Sequence, residues 1–206
     1  MTATATDPRQ ARREAKLAQI LAEAWRLARR DGLAAISLRD VAAAVGLRQP
    51  SLYVYFESKL ALYDAMFADG YRQLLAYVGR RDYTGDPRKA LSRLAADCVM
   101  FSSEDVVRHQ LLFQRTIPGF EPGPESWALA VQFFEQSVAL MHAAGVRRES
   151  DVDVFTAVIS GLAHQQVAND PGGNRWVKHS GRMVEMFLAD LDRRADTSTA
   201  TKGRTR

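Results

Sequence analysis

Residues 33–60, LAAISLRDVAAAVGLRQPSLYVYFESKL, hold a capped helix, a glycine turn, a second short helix and a fresh helix start. Ser37 can accept a hydrogen bond from an unpaired N–H of the first turn, and Asp40 three residues on makes a carboxylate version of the capping box. Leu38, Val41, Ala42 and Val45 fall on one helical face, the stripe of a helix buried on a single side. Gly46 ends that helix, because glycine reaches the left-handed conformation of a tight helix-to-helix turn at little steric cost. The next helix opens at Pro50, where the missing N–H costs nothing. It buries Leu52 and Phe56 and leaves Arg48, Gln49, Ser51, Tyr53 and Tyr55 with few apolar partners. The layout is that of a helix-turn-helix.

An α-helix fits the major groove of a DNA duplex, and Arg and Gln can make paired hydrogen bonds to guanine and adenine edges. Ser and Tyr hydroxyls suit phosphate oxygens, as does Lys59 at the start of the helix that follows Ser58, where the helix dipole also favours an anion. Upstream, Leu17, Ile20, Leu21, Ala24, Trp25 and Ala28 recur at helical spacing. They predict a first helix of about 20 residues that closes at Asp31-Gly32 and covers the hairpin. Arg9, Arg12 and Arg13 precede that helix's apolar face and form a basic arm, which either reaches phosphates or stays solvated.

The run ISLRDVAAAVGL followed by RQPSLYVYFESKLAL, with its Leu-Tyr-x-Tyr-Phe-x-x-Lys spacing, resembles the DNA-binding domain of the tetracycline-repressor (TetR) family of bacterial transcription regulators over residues 9–60. The resemblance implies base contacts by Arg48, Gln49 and Ser51, and phosphate contacts by Ser37, Tyr53, Tyr55 and Lys59. Arg39 is counted with the same DNA-facing set. It further implies a homodimer on a palindromic double-stranded operator, repression as the default, and release by a small-molecule effector bound in a helical body.

Charge is distributed to match. Residues 1–60 carry ten basic and six acidic side chains, residues 61–194 fifteen and seventeen, and residues 195–206 three and one. A basic head on a slightly acidic body puts the phosphate-binding surface at the N-terminal end. The single cysteine, Cys98, excludes an intramolecular disulfide framework and fits a reducing cytoplasm. The first residues lack the apolar core of a signal peptide, and no stretch approaches the roughly 18 uninterrupted apolar residues of a membrane span. A cytoplasmic protein with no membrane association is expected.

Beyond the head the chain reads as helices throughout, so the fold class is all-α with about nine helices. The expected organisation is a helix-turn-helix domain over 1–58, an effector-binding and dimerisation body over 59–194, and a disordered basic tail over 195–206. A long amphipathic helix runs from Lys59 to about Arg80, and Pro87 opens the next. Asp105 starts a shorter one through Leu111, Leu112 and Arg115, and IPGFEPGPE is a breaker-rich loop. A helix from about Pro124 to Ala144 is apolar on more than one side. The last two, Asp151 to Asn169 and Asn174 to Arg194, are joined by Asp170-Pro171-Gly172-Gly173, a connection short enough to force an antiparallel hairpin. Gly161 in the middle of the first costs about 1 kcal/mol, so a packing reason is expected.

By the resemblance, that hairpin pairs with its two-fold mate as a four-helix bundle, through Phe155, Ile159, Leu162, Val184, Phe187 and Leu191. The effector would lie between residues 91–116, 124–144 and 151–169. Met100, Phe101, Phe113, Trp127, Phe134 and Met141 are the apolar wall candidates, and His109, Gln114, His164 and Gln165 the polar anchors. Core packing alone also explains each of those aromatics. No glycine-rich phosphate loop, His-Glu-x-x-His, Gly-x-Ser-x-Gly or Cys-x-x-Cys occurs, so neither enzyme chemistry nor a cofactor or metal is expected. The alternatives are an all-helical enzyme, or a scaffold that keeps the head without regulating transcription.

Overall fold

The structure, a computed structural model, describes residues 7–203, with side chains through residue 196. Among the described residues there are nine α-helices, two short 3-10 turns and no strand. The helices are α1 (Pro8–Asp31), α2 (Leu38–Ala44), α3 (Gln49–Leu52), α4 (Lys59–Gly79), α5 (Pro87–Glu104), α6 (Val106–Phe113), α7 (Pro124–Ala143), α8 (Glu149–Asn169) and α9 (Ser180–Gly203). The chain divides into two compact units, one of residues 1–72 with 107–129, the other of 73–106 with 130–206.

In the first unit, Asp7 caps α1 by accepting from the Arg9 N–H at 3.0 Å, with Pro8 in the first turn, where no N–H is missed. Ile20, Ala24, Trp25 and Ala28 of α1 meet Val41 and Ala42 of α2, Leu52 and Phe56, and Leu62, Tyr63 and Met66 of α4 in one buried core. Burying each large side chain contributes about 1.5–3 kcal/mol. Two polar ties fix the arrangement. The Trp25 indole N–H donates to Asp69 of α4 at 2.8 Å, and the Tyr63 hydroxyl donates to the Leu33 carbonyl. The start of α4 is thus part of the head's own core, and the compact unit runs past residue 58. At Gly70 a Cβ would lie only 2.9 Å from the Leu112 side chain, so α6 seats a leucine where α4 has no side chain.

In the second unit, α5 is capped by Asp86, which accepts from the Arg88 N–H at 2.8 Å, and lies against α8 and α9. Leu91, Met141, Val146, Phe155, Val184 and Leu188 lead its core. Arg88 and Asp192 form a two-pronged ion pair, both contacts at 2.7 Å, and Arg194 reaches the nearly buried Asp151 at 2.9 Å. Burial pushes the Cys98 thiol up to about 12, so it stays protonated near neutral pH.

Four sequence expectations shift here. The last helix begins at Ser180, not Asn174, because Gln166 of α8 is fully buried and organises the connection. Its Oε1 accepts from the Trp176 N–H at 2.7 Å and the Val177 N–H at 3.3 Å, and its Nε2 donates to the Asp170 carbonyl. That α9 continues to Gly203 differs from the disordered tail read from residue 195, while residues 204–206 lie outside the described residues. The third concerns the dimer seam. Phe155, Leu162 and Val184 are buried in the protomer's own core, Ile159, Phe187 and Leu191 pack against it, and the Phe155 and Phe187 rings meet at 5.3 Å. Each of the six therefore also packs within its own chain. Lastly, no atom approaches within 4 Å of a Cβ at Gly161, so the packing reason expected for it is not met among the described residues. No described helix is long and apolar enough to cross a membrane.

Candidate nucleic-acid interface

Ser37 takes up extended backbone and its Oγ accepts from the Asp40 N–H at 3.1 Å, so α2 starts as its cap demands. The same hydroxyl donates back to the Asp40 carboxylate at 2.5 Å, and Arg39 beside it is exposed, 3.7 Å from Asp40. Gly46, with φ +68°, makes the turn. The Leu47 N–H returns to the Ala42 carbonyl at 2.8 Å. A partner with no local sequence signal closes this end: the Lys16 ammonium of α1 donates to the Val45 carbonyl at 3.0 Å. A cation on the last carbonyls of a helix satisfies an orphan acceptor and opposes the dipole.

The second helix opens one residue earlier than Pro50 suggests, at Gln49, with Arg48 as the extended residue before it and Pro50 inside the first turn. It spans a single turn, Gln49–Leu52, and the chain continues as turns to Tyr55. Leu52 and Phe56 are buried. Arg48, Gln49, Ser51 and Tyr53 all point away from the core and are exposed, with Gln49 and the Tyr53 hydroxyl 3.5 Å apart. Tyr55 departs from the sequence reading, since it packs half-buried against the core. Val54, to which that reading assigns no role, is 73 % exposed. Period-2 and period-3.6 patterns give no warning of it, because it sits where the helix has already unwound.

Lys59 also has an internal role. Its ammonium donates to the Ala34 carbonyl at 2.7 Å and lies 5.5 Å over the Tyr63 ring, while Ser58 caps α4 by accepting from the Ala61 N–H at 3.1 Å.

The same unit contains a cavity of about 220 Å³. Phe67 and Tyr71 of α4 form one wall, with Leu111, Leu112 and Phe113 of α6 opposite. Residues Gln114, Arg115, Ile117, Phe120 and Pro122 of the following loop and Trp127 of α7 complete it. The rings interlock: Phe67 and Tyr71 are 4.9 Å apart, and Tyr71 meets Phe113 edge-on at 6.1 Å. The Asp64 carboxylate of α4 fastens the far end of the loop, accepting from the Gly123 N–H and from the Ser126 hydroxyl, both at 2.8 Å.

Of the sequence candidates for a ligand wall, the cavity takes in Phe113, Gln114 and Trp127. The others stand elsewhere. Phe101 is buried against Tyr77 at 5.4 Å, Met141 belongs to the second unit's core, and the Met100 sulfur lies 3.7 Å from the Ser103 hydroxyl. Phe134, His164 and Gln165 are exposed, and buried His109 stacks at 5.5 Å behind Phe113. The walls that sequence reasoning misses, Phe67, Tyr71, Arg115 and Phe120, show in the sequence only as a helix face and a loop.

These features define a helical protein with an exposed, basic helix-turn-helix head. Residues 20–66 match the family model described as bacterial regulatory proteins, tetR family. No curated protein matches the sequence. Among solved structures the chain resembles the TetR-family transcriptional regulator PfmR from Thermus thermophilus, at 24% identity and TM-score 0.61, covering 82% of this chain and 97% of that one. It also resembles a tetR-family regulator from Streptomyces coelicolor, at 18% identity and TM-score 0.69 over 91% and 86%. A third similar fold is the superantigen PfiT, at 18% identity and TM-score 0.61 over 84% and 96%. The fold is that of tetR-family regulators, and the superantigen shows that this fold alone does not settle what a chain does.

Proposed function

We propose that the protein is a transcriptional repressor that binds a palindromic operator as a homodimer and is released when a small molecule occupies the cavity of its first unit. The observation that carries this reading is the row Arg48, Gln49, Ser51 and Tyr53, exposed on a helix turn whose other side is anchored by buried Leu52 and Phe56. Arg48 and Gln49 supply base readout, and Tyr53 and Ser51 phosphate or base contacts. Val54 is placed to meet a thymine methyl. Ser37, whose hydroxyl hydrogen is engaged by Asp40, and Lys59, one of whose three N–H donors is held by Ala34, contribute by holding the head in shape.

One such helix offers few base contacts, and two heads on a two-fold axis read two half-sites. The surface for pairing is the outer side of α8 and α9. Val154 is 52 % and Met186 54 % exposed, and Ala157 and Gly161 lie on the same outer side, with open space at Gly161. An α8 that is apolar on its inner and outer sides alike is what a helix buried twice, once in its protomer and once against a mate, requires. Release follows from α4, which gives Leu62, Tyr63 and Met66 to the head's core and Phe67 and Tyr71 to the cavity wall. A ligand that shifts those rings shifts the helix on which the head is seated.

Selection of double-stranded oligonucleotides from a random pool tests the reading. The expected result is an inverted repeat whose half-sites lie one duplex turn apart. Gln49→Ala should then cost about 1–3 kcal/mol at one base position, and recovery of no duplex sequence at low salt would refute the proposal.

A further inference from the structure

The cavity's lining is specific enough to name the ligand's chemistry. Five of its eleven lining residues are aromatic, and one, Arg115, is charged. Phe113 and Trp127 keep 44 % and 54 % of their surface exposed, so two large rings at the site leave apolar surface open. Flat apolar groups cover such surface, because ring–ring contacts add to the ordinary gain of burying apolar area. Tyr71, more than nine-tenths buried, contributes to the same wall. Its hydroxyl can donate to a polar ligand atom. Burial also pushes its ionisation up to about 12, so near neutral pH it is a neutral donor.

Arg115 supplies the other polar end. It is exposed just beyond the last turn of α6, and no carboxylate among the described residues pairs with it. A guanidinium presents a planar fork of donors that fits a carboxylate with two parallel hydrogen bonds. No acidic side chain lines the cavity to compete for it. Size narrows the class further. At the packing density of a protein interior, about 0.75, a cavity of about 220 Å³ is filled by one or two fused rings with a short acidic group.

We infer that the cavity binds a small aromatic carboxylate, its rings among Phe67, Phe113, Phe120 and Trp127, with Arg115 holding the carboxylate and the Tyr71 hydroxyl donating to a polar atom of the ligand. This rests on the reading of the cavity as the effector site and adds the effector's class. The loop that carries Arg115 and Phe120 is tied back to α4 through Asp64. An anion gripped by Arg115 therefore draws on the same helix that seats the head.

The test uses the full-length protein with naphthalene-2-carboxylate and its uncharged amide, following binding by calorimetry and release of the selected duplex by fluorescence anisotropy. The acid should bind at least roughly tenfold more tightly than the amide, the scale of one lost charge-assisted hydrogen bond. Arg115→Gln should erase that difference while leaving the amide's affinity and the protein's melting temperature unchanged. Arg115→Lys should recover part of it, and Tyr71→Phe should weaken the acid by roughly three- to tenfold. An amide that binds as well as the acid, or an Arg115→Gln variant that keeps full affinity for the acid, overturns the inference. If that amide also releases DNA, the effector reading survives its loss. Binding of the acid that depends on Arg115 but leaves DNA bound supports the inference and defeats the release step proposed above. Binding of neither compound overturns it.

Discussion

Two helix-to-helix hairpins in this chain are built in opposite ways. Between α2 and α3 the turn is made by backbone geometry. Ser37 caps one end, Gly46 takes a positive φ, Pro50 starts the next helix, and the backbone hydrogen bonds run between residues five or fewer apart. Between α8 and α9 the connection is organised by side chains, first among them buried Gln166, whose amide stands in for backbone groups at Asp170, Trp176 and Val177. The first device tolerates changes to what surrounds it as long as its local chemistry is kept. The second hangs the connection on two side chains, the Gln166 amide and the Asp170 carboxylate that holds the Arg175 N–H.

The contrast can be broken most severely on α8 itself. Phe155→Glu places an unpaired charge in the core shared with Val184 and Leu188, and should cost about 4 kcal/mol or more by chemical denaturation. Val154→Glu, one residue earlier on the exposed side, should leave the unfolding free energy of the isolated chain within about 0.5 kcal/mol and produce monomers in sedimentation. A folded dimer for Val154→Glu would reject the pairing face. Gln166→Leu keeps the volume but leaves two backbone N–H groups without acceptors, so a loss of about 2–4 kcal/mol is expected, with hydrogen exchange faster at Trp176 and Val177 than in the head.

Gly46→Ala is the corresponding probe of the first hairpin. A side chain at φ +68° should cost about 1–2 kcal/mol, read as a lower melting temperature with DNA affinity reduced in proportion. The smallest effect concerns pH. The Arg175 backbone N–H, at 2.8 Å, holds the Asp170 carboxyl below its ordinary 3.8, helped by Gln166. A depressed carboxylate lends stability that is fully present above the ordinary value and is lost as pH falls through the lower folded one. Melting curves of Asp170→Asn should therefore be flatter than wild type in that acid window and indistinguishable in slope at neutral pH.

The same division explains what is legible in the sequence. The head is readable because its signals are local: cap, glycine, proline and a helical stripe each act within a few residues of themselves. The internal bonds of Lys59 are hidden for the converse reason, since the Ala34 carbonyl that holds it lies 25 residues back in the chain. Leu162 and Phe155, read as a dimer seam, also pack within the chain, since periodicity reports that a face is covered and not by what. The cavity is half legible. Phe113 and Trp127 stand out as aromatics, whereas Phe67 and Tyr71 are indistinguishable from core on α4, and Arg115 becomes meaningful only once folding places it beside them.

The proposed function depends on the exposed side chains of the α3 turn entering a DNA groove. The most direct measurement compares wild type with the combined variant Arg48→Ala, Gln49→Ala, Tyr53→Ala on the selected duplex and on a scrambled one, by fluorescence anisotropy over a range of salt. Those side chains are exposed, so the variant should keep its melting temperature, lose its preference between the two duplexes, and retain weak, steeply salt-dependent binding. A variant that still prefers the selected duplex as strongly as wild type would contradict the account.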